Sequence, residues 1–329
     1  MTFDDLKKVQ SAFEAQLFDH PGVHGVGIGY KTTASVQTDQ LAIIVLVDEK
    51  LDRSALKEAE IIPAEVGGVP TDVVQYGRHV NAIGVMDPRS PAAAAINNGR
   101  YRPLVGGSAI SVSPPSRVLP PGQYEYGTLG GFASTGSNSV LQFSVGVSCN
   151  HVLGDVISPE RWVQQPYGSE NVSQVNYSVF DAPNGVDAAG FSGLVAGEAY
   201  SNEVLNLGAI VGSYILQLSD LNRTVVKSGA TSMVTSGSIF ALNVTAFDSN
   251  NVVMKNLILI TGAFCDHGDS GSLVLLPTAD PTAFLAVGLL QAKSPDATGP
   301  QSGAAAHIGS VMSALNIVFP APPREPLAR

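Results

Sequence analysis

The segment HGDSGS at residues 267–272 runs directly into the apolar stretch LVLL (273–276), and it is the most informative part of the chain. A serine nucleophile needs a hydroxyl on a tight turn, with backbone N–H groups beside it for a developing oxyanion. The glycines around Ser270 permit such a turn. GDSG alone could be a polar β-turn without chemistry. The strand-like run after it favours Ser270 as a nucleophile, with the N–H groups of Gly268 and Ser270 as its oxyanion hole.

A base for this serine has few candidates, because the chain holds only six histidines. His151 lies in SCNHVL (148–153), after a strand-like run and where a turn or short helix should begin. We therefore predict that His151 is the base. His267 is too close to Ser270 along the chain for that role, and we expect it to line the mouth of the substrate pocket. No role is expected for His20, His24, His79 and His307.

The acid that orients the imidazole should be a buried carboxylate. Asp187 lies in GVDAAG (185–190), an apolar setting of small residues in which a carboxylate has to be paired. Asp181 is the rival, but DAPNG (181–185) is typical of a turn in which aspartate caps the backbone. Asp155 is too near His151 along the chain. The predicted catalytic set is therefore His151, Asp187 and Ser270.

Composition limits the function further. The 329 residues suffice for two domains, and 44% hydrophobic with 14% charged residues indicates a compact protein. A net charge of −10, with scattered basic residues, disfavours nucleic acid as a partner. Two cysteines without a CxxC pair predict neither a disulfide scaffold nor a metal site. We find no signal peptide and no run long enough to span a membrane, so we expect a cytoplasmic protein without membrane contact.

The first 86 residues have mixed character. Apolar spacing predicts a helix over residues 3–18 with Thr2 as its N-cap, then strands at 23–30 and 41–48 and a short helical pattern at 51–60. This order predicts a small α+β domain over residues 1–86. Residues 87–101 are rich in Pro, Ala and Asn, which fits a linker or a structured connection packed on the next domain.

The rest of the chain is β in character. Short Val, Ile, Leu and Phe runs alternate with Gly, Ser, Asn and Pro clusters, which predicts a barrel or sandwich over residues 102–317. Residues 308–317 fit a closing helix, and residues 318–329 read as a frayed tail.

These motifs resemble the trypsin-like serine peptidase family from Arg102 to Ile317. The order His…Asp…Ser is that of the chymotrypsin barrels. The matching segments are GTLGGFA (127–133), SCNHVL (148–153), VDAA (186–189), VKSGAT (226–231), GDSGS (268–272) and AVGLLQA (286–292). The resemblance implies a mostly β, two-barrel, chymotrypsin-like domain with a C-terminal helix.

The resemblance also implies a substrate pocket. Residues 286–292 would line the substrate backbone, which places Gln291 and Ala292 at the pocket, and Phe264, six residues before Ser270, would form its base. Phe264 argues against cleavage after Lys or Arg, where an acidic residue is expected. Lys293 could favour an acidic side chain, although a solvated lysine is the more typical case.

Three departures from the family bear on the site. Ser272 replaces the second glycine of the commonest motif. Cys149 and Cys265 lie in two segments that converge in this family. The two cysteines could form a disulfide, or they could stay reduced as buried thiols, which is more typical of a cytoplasmic protein. No zymogen-activation sequence is recognisable, so the enzyme is expected either to fold active or to be gated by its N-terminal domain.

The N-terminal HPGVHGVGIGYK (20–31) and VPTDVVQYG (69–77) resemble the front domain of an intracellular subgroup that includes bacterial proteins and the plant narrow-leaf protease. The resulting expectation is a serine endopeptidase that acts on a protein or peptide and needs no cofactor and no metal. Self-association through the N-terminal domain is a further expectation. The alternatives are a catalytically silent peptide-binding or assembly module and an esterase with the same triad.

Overall fold

The computed structural model describes residues 1–33, 36–115, 118–135, 144–154, 161–295 and 301–319. Within these ranges the chain forms many strands and few helices. The α-helices are α1 Phe3–Phe18, α2 Asn150–Leu153 and α3 Ile308–Leu315. Single 3-10 turns lie at Arg53–Ala55, Glu58–Glu60, Pro91–Ala95, Ala182–Asn184 and Leu218–Asp220.

The strands before and within the first barrel are β1 Val23–Thr33, β2 Val36–Val47, β3 Glu65–Val66, β4 Val69–Gln75, β5 Val80–Asn81, β6 Gly84–Met86, β7 Leu104–Gly106, β8 Ala109–Ser113, β9 Tyr124–Thr128, β10 Gly131–Thr135, β11 Ser144–Ser148, β12 Trp162–Gln164, β13 Asn171–Asp181 and β14 Val186–Ser192. The strands after it are β15 Tyr200–Val204, β16 Gly208–Ser213, β17 Thr224–Gly229, β18 Met233–Phe247, β19 Val253–Thr261, β20 Leu273–Pro277, β21 Ala283–Pro295, β22 Gln301–His307 and β23 Ile317–Val318.

The first barrel follows the order β10-β11-β14-β13-β12-β8-β9. Strand β9 continues into β10 through Leu129 and Gly130. Because β9 pairs with β8 and β10 pairs with β11, this connection joins the two ends of the strand order and closes the ring. Valines on β11 and β14 point inward with Phe132 and Phe191, and helix α3 covers one end of this core with Ile308. Each such buried side chain contributes about 1.5–3 kcal/mol of hydrophobic stabilisation.

The second barrel is a closed ring of six strands, β17-β18-β19-β22-β21-β20. Every neighbouring pair in this ring is antiparallel. Strand β21 also pairs in parallel with β16. The mostly β, chymotrypsin-like two-barrel fold with a C-terminal helix is therefore confirmed.

The N-terminal residues extend the second barrel. Helix α1 begins at Phe3, where Thr2 forms a capping box with Asp5, as expected for an N-cap threonine. The antiparallel strand β1 lies between β2 and β18, so the N-terminal strands continue the sheet of the second barrel. Gln10 of α1 fixes this contact, because its Nε2 donates to the Asn243 carbonyl at 2.9 Å. The proposed boundary at residue 86 stays a prediction.

The connection between residues 87 and 101 touches both barrels. Asn97 is buried, and its Nδ2 donates to the carbonyls of Gly107 at 3.2 Å and Gly229 at 3.0 Å. In the described part of the chain, no helix is both long and apolar enough to cross a membrane.

Candidate active site

The three predicted catalytic residues come from the facing sides of the two barrels. Helix α2 of the first barrel carries His151, and strand β14 beside it carries Asp187. Ser270 lies in the turn between β19 and β20 of the second barrel. The barrels meet at Gly127, where a Cβ would lie 2.5 Å from Val152 and 2.9 Å from the Ser270 carbonyl oxygen. A side chain at this position would force the serine turn away from α2.

His151 and Asp187 form a tight pair. The ring Nδ1 lies 2.5 Å from Asp187 Oδ2, and the His151 backbone N–H donates to Oδ1 at 3.0 Å. Both oxygens of the carboxylate therefore face one residue, which fixes the ring orientation. With the Nδ1 proton directed to Asp187, the other ring nitrogen, Nε2, is left as a proton acceptor.

The carboxylate of Asp187 is held ionised. Burial alone would raise its pKa, since the side chain is only 4% exposed. The charge and hydrogen bonds of His151, with a further backbone N–H from Asn150, outweigh that effect and hold the pKa of Asp187 below its ordinary value. An ionised partner stabilises the imidazolium that forms when His151 accepts a proton.

The turn that carries Ser270 is anchored by its neighbour Asp269. The Asp269 carboxylate is fully buried, lies 3.1 Å from the ammonium of the fully buried Lys227, and accepts the backbone N–H groups of Thr231 and Ser232. Gly268 has a φ of +102°, and a Cβ there would lie 2.2 Å from Thr231 Oγ1. The glycine is therefore required for the turn to pack.

The hydroxyl of Ser270 does not donate to His151 in this conformation. It donates to the carbonyl oxygen of Gln291 at 2.9 Å. The Nε2 atom of His151 is buried and has no hydrogen-bond partner among the described residues. For the serine to transfer its proton, its side chain has to turn from Gln291 toward His151.

The predicted oxyanion hole contains a peptide oxygen of the same chain. The N–H groups of Gly268 and Ser270 both donate to the carbonyl of Ala82, at 2.6 and 3.2 Å. Two backbone donors that converge on one carbonyl oxygen beside a serine form the arrangement that stabilises a tetrahedral oxyanion.

Two of the predicted pocket residues, Phe264 and Gln291, are buried side chains. Phe264 is fully buried, beneath the ammonium of Lys227 at 5.8 Å and against Gly237 and Gly303. Gln291 is buried, and its Nε2 donates to the Gly185 carbonyl at 3.1 Å.

Ala292 and Lys293 follow Gln291 on β21. Ala292 pairs with Asn81 across β21 and β5. The expectation of a solvated Lys293 is wrong, because this side chain is 8% exposed and its ammonium lies 2.7 Å from Asp266, whose carboxylate compensates the charge.

The remaining candidates take simpler places. His267 is exposed, and its carbonyl accepts the Thr231 hydroxyl at 2.6 Å. Asp181 caps the Ala182–Asn184 turn by accepting the Asn184 N–H, as expected of a turn aspartate. Asp155 lies outside the described residues.

Both cysteines are free and buried. Cys149 Sγ contacts the Leu290 carbonyl at 3.1 Å, and Cys265 Sγ contacts the Ser302 carbonyl at 3.3 Å. Burial raises the pKa of the Cys265 thiol to about 12 and moves that of Cys149 in the same direction. The reduced state, rather than the disulfide, is the one observed.

Sequence reasoning missed the residues that fill the cleft. Ala82 and Asn81 lie in HVNAIGV (79–85), which carries no motif and no periodic pattern. His79, expected to have no role, lines the same cavity of about 230 Å³ as His151. Only the pairing of β5 with β21 reveals this segment, and nothing local in the sequence encodes that long-range contact.

Comparison with known proteins gives matches at the level of solved structures, whereas no family model and no curated protein matches. One match is Thermobifida fusca Protease A, with 17% sequence identity and a TM-score of 0.49. The alignment covers 66% of this chain and 98% of that protease. Nocardiopsis protease has 20% sequence identity and a TM-score of 0.46, and the alignment covers 66% of this chain and 99% of that one. Cellulomonas bogoriensis chymotrypsin has 20% sequence identity and a TM-score of 0.47, and the alignment covers 66% of this chain and 97% of that one.

Proposed function

We propose that the protein is a serine endopeptidase that hydrolyses peptide bonds through Ser270, His151 and Asp187. The observation that carries this proposal is the pair of N–H groups, from Gly268 and Ser270, that converge on one peptide carbonyl beside the serine. A peptide in this position is already polarised at the atom that a serine nucleophile attacks. The His151–Asp187 pair across the cleft supplies the base.

The reaction has two steps. Ser270 attacks the scissile carbonyl carbon while His151 Nε2 takes its proton, and the N–H pair holds the oxyanion. His151 gives the proton to the leaving nitrogen, and water then hydrolyses the acyl-enzyme in the same way. Asp187 keeps the ring in the tautomer that leaves Nε2 free. We also propose that the chain belongs to the narrow-leaf-protease-like subgroup, because the segments at residues 20–31 and 69–77 resemble the front domain of that subgroup.

A catalytically silent binding module is the second candidate. The hydrogen bond from Ser270 to the Gln291 carbonyl favours it, because that bond turns the hydroxyl away from His151. The net contribution of one hydrogen bond to the free energy is only about 0.5–1.5 kcal/mol. Such a bond is too weak to keep the serine inactive when a substrate competes for it.

Turnover of a mixed peptide library separates the two candidates. We expect the wild type to cleave internal peptide bonds and Ser270→Ala to lose about 10⁴-fold or more in rate. The matched control is Ser272→Ala, since Ser272 is equally buried and its hydroxyl donates to the Asp269 carbonyl at 2.6 Å. That variant should keep most of the activity. A folded wild type without turnover, or equal turnover in Ser270→Ala, would contradict the peptidase.

A further inference from the structure

Residues 80–86 run through the cleft between the two barrels as one extended segment. On one side of the oxyanion hole, β5 pairs antiparallel with β21, with Val80 opposite Lys293 and Asn81 opposite Ala292. The Ala82 N–H donates to the Gln291 carbonyl at 3.4 Å. Strand β21 contains residues 286–292, which we expected to line the backbone of a substrate. In the structure, β21 instead pairs with β5 of the same chain.

The segment is also held upstream of these residues. His79 forms a parallel bridge with Asp248, and its carbonyl accepts the Ser249 N–H at 2.9 Å. Asn81 lines the cavity that also contacts His151 and Phe180. The three residues before Ala82, which are His79, Val80 and Asn81, are therefore all held by main-chain pairing.

The other side of the hole is occupied in the same way. Strand β6 pairs antiparallel with β9, with Gly84 opposite Tyr126 and Met86 opposite Tyr124. A Cβ at Gly84 would lie 2.3 Å from the Tyr126 ring, so the backbone approaches as closely as a glycine allows. The chain is thus bound both before and after Ala82, by one barrel on each side.

The register places one peptide bond at the nucleophile. The carbonyl in the oxyanion hole belongs to Ala82, so the bond that follows it, Ala82–Ile83, is the bond that Ser270 faces. Ala82 is fully buried. A larger side chain at this position would overpack its surroundings, and the chain supplies an alanine there.

We propose that Ala82–Ile83 is a self-cleavage site, cut by Ser270 of the same chain. This inference rests on the proposed peptidase function and adds its first substrate, a peptide with a small residue before the cut. It also explains how the cleft is gated, because other peptides cannot enter while residues 80–86 occupy both sides of it.

The step follows from the atoms in place. The Ser270 hydroxyl turns from Gln291 to His151, and its oxygen bonds to the Ala82 carbonyl carbon as the proton passes to His151 Nε2. The Ala82–Ile83 C–N bond then breaks, the Ile83 nitrogen takes that proton, and residues 1–82 remain as an ester on Ser270. Water attacks the ester with His151 as base, which leaves the Ala82 carboxylate and restores the serine.

The two fragments should stay together after the cut. Strand β1 keeps its pairing with β18, and Gln10 keeps its bond to the Asn243 carbonyl. The cut breaks the chain only inside the cleft. Residues 80–82 can then leave the cleft, which opens it to other peptides.

The test is the intact mass and N-terminal sequence of the purified full chain over time. We expect the wild type to give two co-purifying fragments, residues 1–82 and 83–329, with the new terminus at Ile83. Ser270→Ala should remain one chain, also when it is mixed with wild type, because the reaction is intramolecular. The rate should not depend on protein concentration.

Variants at the site sharpen the test. Ala82→Trp should slow the cut by at least about 100-fold, since a large side chain overpacks a fully buried position. The control is Ala92→Trp, at an exposed alanine ten residues downstream, which should cut at the wild-type rate. Ala82→Gly adds no bulk and should still be cut, which keeps the proposal testable if Ala82→Trp fails to fold.

The outcomes separate the two proposals. A wild type that stays intact yet hydrolyses library peptides would overturn self-cleavage and leave the peptidase standing. A wild type that neither cuts itself nor any peptide would overturn both. A cut at Ile83 that persists in Ser270→Ala would assign it to a foreign protease and overturn self-cleavage.

Discussion

Each barrel contributes one buried carboxylate to the cleft, and the two differ in what surrounds them. Asp187 of the first barrel faces the ring of His151, beside a cavity. Asp269 of the second barrel is enclosed, with the Lys227 ammonium at 3.1 Å and the hydroxyl of Ser232 at 2.5 Å. The first carboxylate is placed to act on a ring that changes charge. The second accepts backbone N–H groups of Thr231 and Ser232 and so anchors the turn that carries Ser270.

The largest expected effect of this difference is on catalysis. Asp187→Asn should lower kcat by about 10⁴, because an amide favours the wrong tautomer of His151 while the geometry survives. Peptide turnover and a thermal unfolding curve, taken together, measure it.

The unfolding curve is the control for Asp187→Asn. A Tm close to that of the wild type would assign the loss to chemistry. A folded variant that keeps its turnover would remove Asp187 from the catalytic set.

The next effect is on stability and concerns the second carboxylate. Lys227→Met leaves the Asp269 charge buried without its partner, which should cost about 3–5 kcal/mol of unfolding free energy. Urea unfolding in a Ser270→Ala background, where the chain stays in one piece, measures it.

The matched control for Lys227→Met is Arg78→Met. Arg78 lies 2.9 Å from Asp48 in a half-exposed pair, and its loss should cost no more than about 1 kcal/mol. Equal losses in the two variants would contradict the structural role given to the Lys227–Asp269 pair.

A smaller effect depends on pH. Burial, together with nearby His24, lowers the pKa of His79 to about 3, whereas the ring has its ordinary value of 6.5 when unfolded. Between these values the unfolded chain binds more protons. Stability should therefore fall on acidification from pH 6.5 toward 3, by about 1.4 kcal/mol per pH unit from His79.

Urea unfolding of Ser270→Ala at pH 6.5 and pH 5 checks this slope. Adding His79→Gln should flatten it by about 2 kcal/mol over that interval. Identical slopes with and without His79→Gln would refute the assignment to His79.

The smallest expected effect is on the thiols. Both cysteines are buried with raised pKa values, so an aromatic disulfide reagent should modify neither in the folded protein and both after denaturation. Fast modification of Cys149 in the native state would mean that the region around α2 opens far more readily than its packing indicates.

Much of this architecture was accessible from sequence, because its signals are local. Helix α1 was predicted over residues 3–18 and is observed at Phe3–Phe18, since apolar spacing and the Thr2 cap both act within one turn. His151 and Asp187 were identified by residue type and setting, and the structure brings them into contact.

What sequence could not give depends on long-range pairing. Within the segment at residues 127–133, Leu129 and Gly130 separate β9 from β10, because the two strands join different neighbours. The place of Ala82 follows from the pairing of β5 with β21, across about 210 residues of chain. The same holds for Lys293, whose partner Asp266 lies 27 residues earlier in the chain.

The most direct test of the catalytic assignment is labelling by a fluorophosphonate probe, with the adduct located by mass spectrometry. It should be run on the wild type, on His151→Ala, and on Ala82→Trp, in which the larger side chain is expected to displace residues 80–82 from the cleft. We predict one adduct on the peptide that contains Ser270, with labelling slowed at least about 10³-fold in His151→Ala. No adduct in the folded wild type and in folded Ala82→Trp, or an adduct at another residue, would contradict the catalytic role of Ser270.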